Sequence, residues 1–222
     1  MKVVFQHRAL TPSGEHGTFY FAYGSNLSPT QMKLRCTSTP DRSSRPLAIA
    51  RLPGWRWYID QRGCANISKT NTENDEVWGT IYDMSVEDEK TLDAYEGVDW
   101  SAPLATEDGL GTNVVRPTEQ GIGRHNKVYV KVEVVHWRDE SWRERLWQND
   151  KQFMALAYPD EYRKEPGMIR PNYIGRMNRA IQEAVALGLS QEWIAKVVRP
   201  SVPEGIEAPE GYVGEKDKPL LV

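Results

Sequence analysis

The chain has 222 residues, with 39% hydrophobic and 27% charged side chains and a formal net charge of -3. That length and balance suit one large folded domain, and they argue against a disordered chain. The mild negative charge gives no electrostatic reason to expect nucleic acid, and no apolar run approaches the ~20 residues of a membrane span. The N-terminal Met-Lys-Val-Val-Phe-Gln-His-Arg holds only a short apolar run, too short for a signal-peptide core, so the chain reads as cytoplasmic. Cys36 and Cys64 then read as two reduced thiols, and without a CxxC they give no zinc spacing. The Asn26 and Asn66 glycosylation sequons carry no weight in such a compartment.

In chain order, the aromatic run over 18–23 predicts a strand that stops at Gly24. Ser28 followed by Pro29 predicts an N-cap and first helical position, so 29–35 reads as a short helix. Residues 46–52 and 55–60 read as strands joined at Pro53-Gly54, with a further short strand over 64–68. Glu76 to Asp83 reads as a strand, and Ser85 caps a helix to about Tyr95 that Gly97 terminates. Residues 99–127 carry glycines and prolines without periodicity and read as a long loop or insertion. Val128–Val135 alternates and is the clearest strand. Residues 137–149 fit an exposed helix, 153–158 a strand, and 172–187 and 190–198 helices. The organisation expected is one domain over 1–198 with an insertion at about 99–127, followed by an extended tail over 199–222. Many short strands with few helices between them predict an α+β domain built on a barrel or a strongly curved mixed sheet. The eight tryptophans read first as core and sheet-face packing, with an aromatic wall around a ligand as the alternative.

Two places carry candidate chemistry. A strand entering the Gly24-Ser25-Asn26 turn and then a helix start leaves backbone N–H groups available for an anion or an oxyanion. The competing reading is a plain strand-to-helix connection whose Ser and Asn bond the local backbone. Ser25 lacks the flanking glycines of a nucleophile elbow. The second place is Glu96, a carboxylate at the negative end of a helix dipole. Its neighbours Asp93 and Asp99 read as solvated charges, and none of the four histidines is spaced for a triad or a metal.

Tyr23-Gly-Ser-Asn-Leu27 after an aromatic strand resembles the signature of the gamma-glutamyl cyclotransferases. Arg51-Leu-Pro-Gly-Trp-Arg-Trp-Tyr58, Asp75-Glu-Val-Trp-Gly-Thr-Ile-Tyr82 and Leu92-Asp-Ala-Tyr-Glu-Gly-Val98 resemble further segments of that family in the same order. The resemblance implies a small mixed β-barrel flanked by helices, and closure of a γ-glutamyl group on its own α-amine to release 5-oxoproline. It implies Glu96 as the general acid and base, with Tyr23, Gly24, Ser25, Asn26 and Leu27 around the substrate. It also implies a tyrosine on the strand after the insertion, for which Tyr129 is the nearest match and Tyr158 a second. That chemistry takes its nucleophile from the substrate, so it needs no cofactor and no metal, only a carboxylate whose burial favours proton transfer near neutral pH. The partner implied is a small-molecule γ-glutamyl substrate, with no nucleic acid and no membrane, and a homodimer is compatible with the family. The leaving group expected is an amino acid, a peptide or a glutathione-derived conjugate, as in glutathione or secondary metabolism. The alternatives are a γ-glutamylamine cyclotransferase and a non-catalytic binding protein on the same fold.

Overall fold

The computed structural model describes residues 8–10, 16–105, 115–138, 140–141, 152–209 and 211–212, with backbone only for 8–10 and 16. Five strands close on one another: β2 (His16–Ala22), β3 (Pro46–Pro53), β6 (Glu76–Ser85), β9 (Val128–Trp137) and β10 (Gln152–Ala157), in the order β2-β10-β9-β3-β6 with β6 pairing back onto β2. All the pairings are antiparallel except β10 with β2, where Leu156 faces Tyr20. Closure removes the exposed edges that an open sheet would present. A short strand β1 (Arg8–Leu10) adds to β2, and β4 (Trp55–Ile59) with β5 (Ala65–Lys69) forms a separate ribbon. The barrel and its flanking helices thus meet the α+β expectation.

Alternation along β2 decides what covers the barrel wall. Phe19, Phe21 and Tyr23 join a large cluster with Leu47, Ile49, Ile81, Val132 and Phe153. The helix α4 (Pro171–Ala186) inserts Tyr173, Met177, Ala180, Ile181 and Ala184 into the same cluster, an i, i+4, i+7 stripe from its amphipathic sequence. Tyr20 and Ala22 point the other way, into a second cluster with Met32, Tyr82, Met84, Leu92, Leu156 and Tyr158. That second cluster lies beneath α1 (Pro29–Arg35) and α3 (Val86–Glu96). Gly79 lets β6 approach β2 closely, because a Cβ there would come within 2.4 Å of the Phe21 ring. Trp57 and Trp193 are buried edge to face, and Trp55, Trp78 and Trp137 pack against the first cluster, while Trp55, Trp57, Trp78 and Trp193 also line a second cavity.

Residues 99–105 and 115–127 are more ordered than the expected loop. They form the short pairing β7 (Leu104–Ala105) with β8 (Arg116–Pro117), then fold over the end of α3. The 190–198 segment winds as the short helix α5 (Gln191–Trp193) and a π turn. Two loop carbonyls, Pro203 O and Ile206 O, accept from Asn178, tying 203–206 along α4. A small four-residue helix, α2 (Pro40–Ser43), precedes β3. Of the ambiguous 137–149 segment, residue 137 ends β9 and 142–149 lie outside the described residues.

Asp93 is not the solvated charge expected from its place near a helix end. It is 2% exposed, receives the Tyr158 hydroxyl at 2.6 Å and pairs with Lys127 at 2.7 Å, and Lys127 also reaches Glu89 at 2.6 Å. Burial outweighs the Lys127 ammonium and pushes the Asp93 carboxyl up to about 6. The native state therefore takes this proton before the unfolded chain does, so on this group's account stability rises as pH falls from about 6 toward 4. In urea melts across that range, Asp93→Asn is expected to lose this part of the pH slope; an unchanged slope contradicts the assignment.

Candidate active site

A cavity of about 500 Å³, open solvent at its mouth included, lies where the end of β2, α1, α3 and α4 meet. Gly24, Ser25, Asn26, Arg35, Glu96 and His125 line it, as do four tyrosines, Tyr20, Tyr23, Tyr158 and Tyr173. Of the residues expected from the sequence, the structure brings Glu96, Tyr23, Gly24, Ser25 and Asn26 together. Leu27 is buried beneath the turn, where its carbonyl accepts from the Tyr82 hydroxyl at 3.0 Å. Tyr129 packs against the second cluster and does not line the cavity, whereas Tyr158 does.

The turn is held rigid from outside. Trp57 Nε1 donates to the Tyr23 carbonyl at 3.0 Å, and the Tyr23 hydroxyl donates to the Tyr158 carbonyl at 2.6 Å. A 3₁₀ turn over Ser25–Leu27 follows, and then Ser28 caps α1 by accepting from Gln31 N–H at 3.0 Å. At Gly24 a Cβ would sit 3.0 Å from the Tyr173 hydroxyl and 3.3 Å from the Ala65 Cβ, so a side chain would crowd the cavity wall. The backbone cradle is only partly open, because Ser25 N–H already donates to the Tyr173 hydroxyl at 3.1 Å.

Glu96 closes α3, and Gly97 follows in the left-handed region at φ 65 and ψ 47. A carboxylate at that end needs cations, and three elements provide polar partners. Arg35 from α1 donates to Glu96 Oε1 at 3.1 Å. Arg124 donates to the Tyr95 carbonyl at 2.6 Å. His125 Nδ1 lies 2.8 Å from the Glu96 carbonyl and 3.3 Å from its Oε2. Asn26 Nδ2 approaches Oε1 at 3.4 Å and donates to the Tyr20 hydroxyl at 2.9 Å. The carboxylate orients this amide: a flipped Asn26 would set its oxygen against Glu96. Asn26 Oδ1 is then a buried acceptor without a hydrogen-bond partner among the described residues.

His125 was passed over in the sequence because it sits in an irregular segment far from Glu96. Its Nε2 lies 3.0 Å from Arg62 Nη2, and a guanidinium only donates, so Nε2 accepts and Nδ1 carries the hydrogen toward Glu96. Arg62 is itself fixed by the buried carboxylates Asp60, at 2.8 Å, and Asp160, at 3.0 Å. Burial lowers the His125 imidazole below its ordinary value, with Glu96 opposing and Arg62 assisting.

The four tyrosines differ in where their protons go. The Tyr23 and Tyr158 hydroxyl protons are committed, to the Tyr158 carbonyl and to Asp93. Tyr20 and Tyr173 instead accept, from the Asn26 amide and from the Ser25 N–H, and Tyr173 also meets the Ser25 side chain. Burial pushes the Tyr173 hydroxyl up to about 12 and Tyr20 higher still, so both remain donors near neutral pH. Among the described residues, no group of three or more His, Cys, Asp or Glu could hold a metal ion, and no helix is long and apolar enough to cross a membrane.

The family model described as gamma-glutamyl cyclotransferase, AIG2-like, matches residues 20–158, and the chain belongs to that family. Among solved structures, the fold is similar to one titled gamma-glutamyl cyclotransferase, at 21% identity and TM-score 0.53, covering 90% of this chain and 95% of that one. It is similar to an uncharacterized protein from Homo sapiens at 21% identity and TM-score 0.52, with the same coverage. It is also similar to YkqA from Bacillus subtilis at 17% identity and TM-score 0.53, covering 85% of this chain and 56% of that one. At these identities the likeness is one of fold. No curated protein matches the chain.

The tautomer argument is directly measurable. In ¹⁵N-labelled protein, the neutral His125 ring is expected to carry its hydrogen on Nδ1, and its titration to fall at lower pH than that of an ordinary histidine. A hydrogen on Nε2, or a titration at or above that of an ordinary histidine, contradicts it.

Proposed function

We propose that the protein is a γ-glutamyl cyclotransferase that releases 5-oxoproline from a γ-glutamyl amino acid, peptide or glutathione-derived conjugate by intramolecular aminolysis. The observation that carries this reading is the Glu96 carboxylate, presented to the cavity beside the Gly24-Ser25-Asn26 turn by partners on three separate elements. Family membership over residues 20–158 supports it.

In this reading the substrate's α-ammonium binds at Glu96, with Asn26 Oδ1 as a second acceptor. Glu96 removes one proton, and the freed nitrogen attacks the γ-carbonyl carbon. One C–N bond forms, and the carbonyl π electrons move to oxygen. Tyr173 and Tyr20 supply the O–H groups that meet this oxygen, each held by a donor of the 25–26 turn. As the intermediate collapses the C=O re-forms, the C–N bond to the leaving group breaks, and Glu96 gives its proton to the departing nitrogen; Glu96 then takes the second proton from the new ring nitrogen and releases it to the freed amine or to solvent. Attack and departure balance without a redox change. Holding amine and carbonyl together in a buried cavity lowers the entropic part of the barrier. His125 acts through the end of α3: its Nδ1–H, fixed by Arg62, meets the Glu96 carbonyl and lies 3.3 Å from the carboxylate beside it.

Purified protein incubated with γ-glutamyl dipeptides, glutathione, glutathione conjugates and γ-glutamyl-lysine is expected to form 5-oxoproline from at least one of them. Glu96→Gln is expected to lose about 100-fold or more in kcat, the lower range for removing a general base. Full activity in Glu96→Gln rules the mechanism out. Tyr173→Phe is expected to lower kcat by about 100-fold, the scale for one oxyanion donor. A change confined to KM assigns Tyr173 to binding instead.

A further inference from the structure

The cavity wall carries a guanidinium that the γ-glutamyl group does not account for. Arg35 faces Glu96 at one end, and Arg170 lines another part of the wall with Arg176. A γ-glutamyl group brings one ammonium and one α-carboxylate on the same carbon. If the ammonium sits on Glu96, the α-carboxylate lies beside it, within reach of Arg35, which is 3.1 Å from Glu96 Oε1.

Arg170 belongs to a different part of the wall. It is the residue before Pro171 at the start of α4, and its backbone N–H donates to the Gly63 carbonyl at 3.2 Å. Gly63 has φ +75, and a Cβ there would lie 2.6 Å from Arg170 Cγ, so the 60–64 turn grips the arginine stem. The Arg170 guanidinium stands 5.8 Å from the Tyr173 ring centroid, and Arg176 stands 4.9 Å from the same ring. Arg170 forms no ion pair with a described carboxylate, and its Nε is buried without a hydrogen-bond partner among the described residues. Tyr173 thus spans the site: its hydroxyl reaches the Ser25 turn, and its ring carries the two cations.

Resting on the cyclotransferase reading, we infer that Arg170, assisted by Arg176 beside the first turn of α4, is a carboxylate subsite for the leaving group. The preferred substrates are then γ-glutamyl amino acids or peptides, whose departing amine carries its own carboxylate, rather than γ-glutamyl derivatives of simple amines. In a γ-glutamyl amino acid that carboxylate lies two bonds from the scissile nitrogen. It would reach the arginines when the carbonyl oxygen faces Tyr173. The planar guanidinium suits such a group, since it can donate two parallel hydrogen bonds.

γ-Glutamyl-alanine and γ-glutamyl-ethylamide differ by that one carboxylate, and the test compares their kcat/KM on the full chain. The wild-type protein is expected to favour γ-glutamyl-alanine by about 10- to 100-fold, the scale of a hydrogen bond to a charged group. Arg170→Gln is expected to collapse that ratio by about 10-fold or more, and Arg170→Lys to restore part of it. Equal wild-type rates on the two compounds overturn the subsite, whether or not any variant folds. Loss of both substrates in equal proportion in Arg170→Gln also overturns it, by assigning Arg170 to the α-carboxylate. If neither compound is cyclised, the cyclotransferase reading fails, and the subsite is read from binding by calorimetry. Tighter binding of γ-glutamyl-alanine then supports it, and equal or absent binding removes it.

Discussion

The placement of the Glu96 carboxylate at the C-terminal end of α3 is the constraint on which the rest of the site depends. A helix end already carries partial negative charge, and an acid there is opposed by it. The fold answers with Arg35 from α1, Arg124 on the neighbouring carbonyl and the His125 N–H, each from a segment distant in sequence. Behind His125 stands Arg62, pinned by the buried Asp60 and Asp160. The irregular stretch after α3 therefore acts as a structural part of the cavity, since it delivers Arg124 and His125 to the end of the helix.

The barrel gives this arrangement its rigidity. β6 runs directly into α3 through the Ser85 cap, and β2 runs directly into the Gly24 turn. Because β2 and β6 pair over 17–22 and 80–85, the wall that anchors the turn also anchors the helix carrying Glu96. Two tyrosines from opposite sides, Tyr20 on β2 and Tyr173 on α4, then accept from the turn at the cavity wall. Arg170 and Arg176 line the remaining wall.

Much of the fold is legible in the sequence because strands advertise themselves by alternation and helices by caps. Val128–Val135, Ser28-Pro29, Ser85 and Gly97 all read directly. Closure of the barrel does not, because it depends on the parallel register of Leu156 with Tyr20, a long-range pairing with no local signal. In the site, Gly24 stands out as the stop of an aromatic strand and Glu96 as an acid at the negative end of a helix. Arg35, His125, Tyr173 and Arg170 carry no such signal, and only tertiary packing brings them to the cavity. Asp93 looks like any acid near a helix end, and only the burial of Lys127 beside it shows otherwise. Tyr129 lies on β9 and Tyr158 just past the end of β10, and only the second lines the cavity, a difference of position along the barrel that residue type does not reveal.

The central claim is that the nucleophile comes from the substrate and not from water. Turnover of a γ-glutamyl dipeptide in H₂¹⁸O, followed by mass analysis of the products, tests it most directly. The account predicts 5-oxoproline free of ¹⁸O together with the intact leaving amino acid. Glutamate carrying ¹⁸O would mean hydrolysis, and would contradict intramolecular aminolysis at Glu96.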